Sequence, residues 1–263
     1  MKLLKSIFVI VFLLLVAFYF FVSKPEKYDE SDLYEEIIKR DIINIGINVN
    51  SKPFGFIDKD GSIQGYDADF ARYIAQYLIN NPAKVNFVPV TPANRILKVS
   101  TGEVDMVIAT MTITPQRQEI IDFSQPYDSA GQSLLVKSSS KITSIADLSG
   151  QNVGVIWGTT AEKNMLNLAP SANIIGFKSY DDAYKALKSG YINAVTSDDT
   201  LLSRYASEDN QVKLLPKRYS REPYGIGFKK GKSTKVLRAK VDYAITDMKQ
   251  KNVIARLRKK WIN

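Results

Sequence analysis

The 263-residue chain contains no cysteine and no histidine. Without cysteine it has no disulfide, no thiolate nucleophile and no thiol to lipidate at a processed N-terminus. Without histidine it has no Ser–His or Cys–His pair. A zinc site built on Cys and His, and a haem held by either, are excluded as well. No catalytic residue, metal ligand or cofactor-binding residue built on Cys or His is therefore expected. Carboxylate, lysine and hydroxyl chemistry remain. Apolar residues at 45% and charged residues at 24% lie near globular averages, which argues against a disordered chain or a polytopic membrane protein. The length allows one or two domains, and a core that size needs no covalent staples.

What the chain has in excess is positive charge, +9 at pH 7. No Lys/Arg run is interleaved with aromatics, so a nucleic-acid groove is not expected. The most basic stretch, Lys249, Lys251, Arg256, Arg258, Lys259 and Lys260, reads as the solvated face of a last helix, whose C-terminal end favours cations.

Lys2 and Lys5 precede an unbroken apolar run over residues 7–22. A basic start and apolar middle is the layout of an export signal. The run is short for a bilayer span. Phe18, Tyr19, Phe20 and Phe21 occupy the place where a cleavage site wants small residues. An uncleaved anchor over residues 1–23 is the expectation, with the lysines cytoplasmic and the rest of the chain outside the membrane. Residues 24–41 read as a tether containing a short helix at 31–39.

The folded part begins at Ile42. Ile43, Ile45, Ile47 and Val49 alternate with polar or small residues, as in a strand. Asp60-Gly61 is a hairpin turn signal. Asp67 or Asp69 is expected to cap a helix that presents Phe70, Ile74 and Leu78 on one face. Residues 85–90 read as a strand. Thr91-Pro92 is an N-cap with proline at the first helical position, and that helix runs to about Ser100. Residues 104–109 form an apolar strand. Thr114-Pro115 repeats the cap and opens a helix holding Arg117. Later, Ser179 caps a helix that Gly190 stops, residues 192–196 form a strand, and Asp198 follows. The two helix–glycine–strand units suggest two lobes with parallel α/β sheets. Ligands then sit at the carboxyl ends of strands, where residues 110–112 and Asp198 fall.

Residues 42–262 resemble an extracellular solute-binding protein of the polar amino-acid uptake family. The match is carried by Pro53-Phe-Gly-Phe, Gly65-Tyr-Asp-Ala-Asp, Thr91-Pro-Ala-Asn-Arg95, Ala109-Thr-Met-Thr-Ile-Thr-Pro-Gln-Arg117, Asp122-Phe-Ser-Gln-Pro-Tyr127, Gly158-Thr-Thr160, Ala194-Val-Thr-Ser-Asp198 and Tyr224-Gly-Ile-Gly227. The resemblance implies a bilobed type II periplasmic-binding-protein fold (a Venus-flytrap), α/β, with two mixed lobes and a two-strand hinge. The expected lobes are residues 42–129 plus 225–263, and 130–224. The chain is expected to cross near residues 128–132 and to return near 221–224.

An α-carboxylate is best met by a guanidinium fork, with help from hydroxyls and helix-terminal amides. Arginine in a first helical turn opposes the helix dipole, so Arg117 calls for an anion. A surface pair with Glu119 or Asp122 is the alternative. The resemblance assigns the α-carboxylate to Arg117 and Thr112. It assigns the ammonium to Asp198, with carbonyl help from Ala109 or Thr110. Asp198 could instead cap the following helix, although Asp199 is nearer. Arg95 matches the arginine that meets a side-chain carboxylate in acidic amino-acid binders, which leans the ligand to glutamate or aspartate. The second basic residue usual in acidic binders is missing; Asn48, Val49 and Asn50 stand there, with Lys52 nearby. Thr159 and Thr160 would add contacts from the other lobe. Phe54, Phe56 and Tyr66 read first as core. Ser51 or Lys52, and Pro92, stand where some relatives have an aromatic sandwich.

The implied activity is extracytoplasmic amino-acid binding by hinge closure, by a monomer that delivers to an ABC permease and its ATPase while held at the membrane. Cysteine or another small polar amino acid is the alternative ligand. The rival classes are a prephenate/arogenate dehydratase of the same fold and a sensor docked to a signalling receptor. No second span or kinase suggests a receptor fusion.

Overall fold

The computed structural model describes residues 32–262; the expected anchor and most of the tether lie outside them. The first described helix, Leu33–Arg40, starts two residues later than expected, because Asp32 accepts from the Tyr34 amide and takes the cap. Among the described residues no helix is long and apolar enough to cross a membrane.

Two five-stranded sheets form the body. In the first, the alternating isoleucines make the strand Ile43–Ile47, which lies parallel to Val85–Pro89 on one side (Ile45 opposite Phe87) and to Met106–Val107 on the other. Gly227–Lys229 then runs antiparallel between Met106–Val107 and Ile121–Phe123. The second sheet repeats the plan. Asn152–Ile156 lies between Asn173–Phe177 and Ala194–Asp198, all parallel, and Gln132–Lys137 runs antiparallel between Ala194–Asp198 and Val212–Leu214. The expected parallel strands are present, and one antiparallel strand makes each sheet mixed. The antiparallel strand in each comes directly after a crossing between the two sheets. Those crossings, Asp128–Ala130 outward and Glu222–Tyr224 back, pair with each other as an antiparallel ribbon. Each backbone supplies the other's hydrogen bonds, so the two passages are tied at one place.

Helices cover the sheets by burying one stripe each. Tyr66–Ile79 buries Phe70, Ile74 and Leu78, as expected, and also Ala71 and Ala75. Lys235–Gln250 buries Leu237, Val241, Ala244, Ile245 and Met248. The last helix, Val253–Trp261, carries Arg258, Lys259 and Lys260 in its final turn. Of these, Arg258 pairs with Asp128 and Lys260 with Asp69. The hairpin at Asp60-Gly61 joins Gly55–Ile57 to Ile63–Gln64. Phe54 and Tyr66 are core: both are fully buried, with their ring centroids 5.5 Å apart.

Three local expectations are corrected. Gly65, not Asp67 or Asp69, occupies the N-cap of Tyr66–Ile79, which turns Asp67 inward. The helix expected from Thr91-Pro92 begins only at Arg95. Thr91 and Asn94 exchange hydrogen bonds, the Thr91 amide to Asn94 Oδ1 at 2.8 Å and the Asn94 amide to Thr91 Oγ1 at 3.3 Å, and this closes a turn before the helix. The strand expected over 104–109 shortens to Met106–Val107, because the backbone turns at Thr110 (φ 45°). The Thr114-Pro115 and Ser179 caps form as read.

Candidate functional site

The site lies where the strand ends of the two sheets meet. Met106–Val107 runs out into the turn at Ala109–Thr112, and Ala194–Asp198 ends on Asp198. Thr114 caps the one-turn helix Pro115–Gln118 by accepting from the Arg117 amide. That cap sends the Arg117 side chain back over the turn. Its Nη1 donates to the Thr112 carbonyl at 2.7 Å, and its Nη2 crosses to the Gly158 carbonyl of the other half at 3.1 Å. Arg117 is 8% exposed and pairs with neither Glu119 nor Asp122; the latter binds Arg238. Burial first, and repulsion from Arg95 second, lower the Arg117 pKa to about 9, so the guanidinium stays charged at neutral pH.

Arg95 opens its helix and is buried. Its Nη1 donates to the carbonyls of Ala109 and Thr110, while its buried Nε finds no acceptor among the described residues. Burial lowers its pKa. The Thr110 turn that offers those carbonyls is held from behind. The Thr110 amide donates to Asp67 Oδ2 at 3.0 Å, and the Tyr127 hydroxyl to Asp67 Oδ1 at 2.9 Å. Burial pushes the Asp67 carboxyl up to about 7.

Asp198 is the convergent acid. It stands at the N-cap position of Asp199–Glu208, yet its side chain makes no cap bond. Instead it accepts from the Tyr224 hydroxyl at 2.5 Å. Asp199 is engaged elsewhere, with the Gly131 amide and Arg218. Burial raises the Asp198 pKa to about 7; the Tyr224 hydrogen bond opposes the rise and the charge of Glu222 adds to it. Thr159 spends its hydroxyl on the Ile156 carbonyl at 2.7 Å and caps Thr160–Leu168. Thr160 gives its own to Glu222 at 2.8 Å. Backbone amides at that helix start are what this segment can offer a ligand.

The candidates therefore gather at one seam: Arg117, Arg95 and the carbonyls of Ala109, Thr110 and Thr112 from the first sheet's half, Asp198, Thr159 and Thr160 from the other. Among the described residues the two arginines form no ion pair, with each other's neighbours or with Asp198; they rest on carbonyls. Buried charges held apart in this way are costly unless something complements them. Two cationic forks and a carboxylate across the seam complement a molecule bearing both signs. Glu222, Tyr224, Gly158 and Asp67 were not anticipated as site residues. Glu222 and Tyr224 alternate on a crossing strand, and Tyr224 opens one of the stretches that carry the family resemblance.

Residues 43–263 match the family of bacterial extracellular solute-binding proteins, family 3. The chain belongs to this family. It is 36% identical over 242 residues to the ABC transporter glutamine-binding protein GlnH of Bacillus subtilis (strain 168), covering 91% of this chain and 88% of that one. A glutamine-binding protein of Geobacillus stearothermophilus is 39% identical over 195 residues, 73% and 74% of the two chains. Among solved structures, the ancestral amino acid-binding protein AncCDT-1, a precursor of cyclohexadienyl dehydratase, superposes with TM-score 0.81 at 34% identity, covering 88% of this chain and all of that one. The solute-binding protein described above is thus an amino-acid-binding protein of ABC transporters, with a type II periplasmic-binding-protein fold.

The closed seam makes its own test. Gly158 has φ 79°, and a Cβ there would lie 2.6 Å from the Pro92 carbonyl oxygen and 2.8 Å from Ala93 Cα. Gly158→Ala is expected to wedge the two halves apart. Ligand affinity should fall about tenfold or more, while the ligand-free melting temperature moves by only a few degrees, in line with ~1 kcal/mol for a non-glycine left-handed residue. Calorimetric titration beside thermal melts checks this, and unchanged affinity would mean that closure at Gly158 is not needed.

Proposed function

We propose that this chain closes on a polar amino acid, gripping the α-carboxylate with Arg117 and the ammonium with Asp198, and hands it to an ABC permease. The observation that carries the reading is the Arg117 guanidinium touching both halves at once, at Thr112 and at Gly158. A ligand satisfied on both sides stabilises the closed state over the open one. We take the moving bodies to be residues 42–129 plus 225–263, and 130–224, swinging on the ribbon.

Glutamine is the ligand we put first. The names of the two relatives above support it, and so does the absence of a second basic residue at Asn48, Val49 and Asn50. Glutamate is the second reading, favoured by one observation: the buried Arg95 Nε has no acceptor among the described residues and suits a carboxylate. A dehydratase reading is set behind these, since the two relatives above are named for binding glutamine. A thermal-shift panel of free amino acids tests the proposal. At a hundred times its dissociation constant the true ligand adds about 2.7 kcal/mol. No shift with any amino acid, or turnover of prephenate or arogenate, would overturn it.

We further propose that residues 1–23 remain as an uncleaved anchor that keeps the clamp at the outer face of the cytoplasmic membrane as a monomer. N-terminal sequencing of the mature protein should return residue 1 or 2. A start near residue 24 contradicts the anchor.

A further inference from the structure

Glu222 is 3% exposed, yet it forms no ion pair among the described residues. Among the described residues its carboxylate accepts only from neutral donors: Thr160 Oγ1 at 2.8 Å, Asn164 Nδ2 at 3.4 Å and the Ser220 hydroxyl. Such donors solvate a carboxylate without neutralising it, so its charge is projected into the low-dielectric surroundings. The direction of projection follows from the strand. Residues two apart share a face, and Tyr224, two residues on, reaches Asp198. Thr160 stands two residues after Gly158, the residue that Arg117 touches. The Glu222 charge is felt at both ends of the grip, strengthening the proton hold of Arg117 and of Asp198.

We propose that Glu222 sets the charge of the ligand's side chain: it repels a second carboxylate and favours an uncharged side chain. This rests on the amino-acid grip described above. The buried positive charges, Arg95 and Arg117, are already balanced by Asp198 and Glu222. A zwitterion with an amide side chain preserves that balance, whereas glutamate adds an unmatched negative charge. Asp67, the other buried carboxylate near Arg95, acts in the same sense. Arg95 can then donate to an amide oxygen, and the ligand's amide N–H faces a site with a carboxylate in it. Sequence reading leaned towards an acidic ligand because Arg95 was visible and Glu222 was not.

The test is calorimetric titration of the full chain with glutamine and with glutamate. The parent should prefer glutamine. Glu222→Gln keeps the shape and the acceptor, and should move the glutamine-to-glutamate ratio of Kd towards glutamate by about tenfold, or about 1.4 kcal/mol. Asn164→Asp, which adds a carboxylate beside Glu222, should move the ratio the other way and serves if the first variant does not fold. A residue of purely structural importance would weaken both ligands alike. A ratio moved less than twofold in folded variants overturns the role of Glu222 alone. A parent that binds neither ligand overturns the amino-acid reading along with it.

Discussion

Arg117→Ala is expected to weaken amino-acid binding by at least about a hundredfold. The guanidinium is buried, carries the only proposed contact to the α-carboxylate that is itself charged, and joins the halves through Thr112 and Gly158. Removing one partner of a buried charge pair costs roughly 3–5 kcal/mol, and each 1.4 kcal/mol is tenfold in Kd. The loss should fall mainly on the bound state, since in the free protein Arg117 faces carbonyls and another cation rather than an acid. Arg117→Lys restores the charge but not the planar fork, so it should recover only part of the affinity. Calorimetric titration of both variants measures this. An alanine variant within threefold of the parent would remove Arg117 from the carboxylate site.

Affinity and fold stability should respond to pH in opposite directions. Ammonium binding needs Asp198 ionised, and burial holds its pKa near 7 in the ligand-free protein. Between pH 7 and pH 5 affinity should therefore fall by up to tenfold per pH unit, about fiftyfold in total because the group is already half protonated at pH 7, while the ligand's own groups do not titrate. The ligand-free fold behaves the other way. Asp67 and Asp198 hold their protons up to about 7 when folded, against 3.8 as the ordinary value. Across that window the native state binds more protons than the unfolded one, so stability falls as pH rises, by at most about 1.4 kcal/mol per pH unit per group. The melting temperature of the ligand-free chain should then be higher at pH 6 than at pH 8. Asp198→Asn should flatten the affinity profile, and Asp67→Asn should lessen the stability slope. Affinity that stays level from pH 8 to pH 5 would take Asp198 out of the ammonium site.

The parts of this site that were legible in the sequence were those set by local rules. Thr114-Pro115 is a cap whose chemistry is complete within four residues, so it places Arg117 without reference to the rest of the chain. Asp198 follows an apolar strand, and strand ends are where such sheets bind. The crossings at 128–132 and 221–224 were read through family resemblance, and the ribbon Asp128–Ala130 with Glu222–Tyr224 falls there. What escaped was set by contacts distant in sequence. Asp67 looked like a helix cap because acids are common in first turns; its partners, Thr110 and Tyr127, lie 43 and 60 residues away. Glu222 drew no reading from the sequence, because its partners Thr160 and Asn164 lie 62 and 58 residues away. Thr91-Pro92 carried a valid cap signal, but the reciprocal bonds with Asn94 spent it on a turn.

A crystal structure of the chain with glutamine tests the two-sided grip most directly. The α-carboxylate should lie within hydrogen-bond distance, about 3 Å, of the Arg117 guanidinium, and the ammonium at a similar distance from the Asp198 carboxylate. A ligand that sits elsewhere, or that leaves either Arg117 or Asp198 facing away from it, would contradict the mechanism.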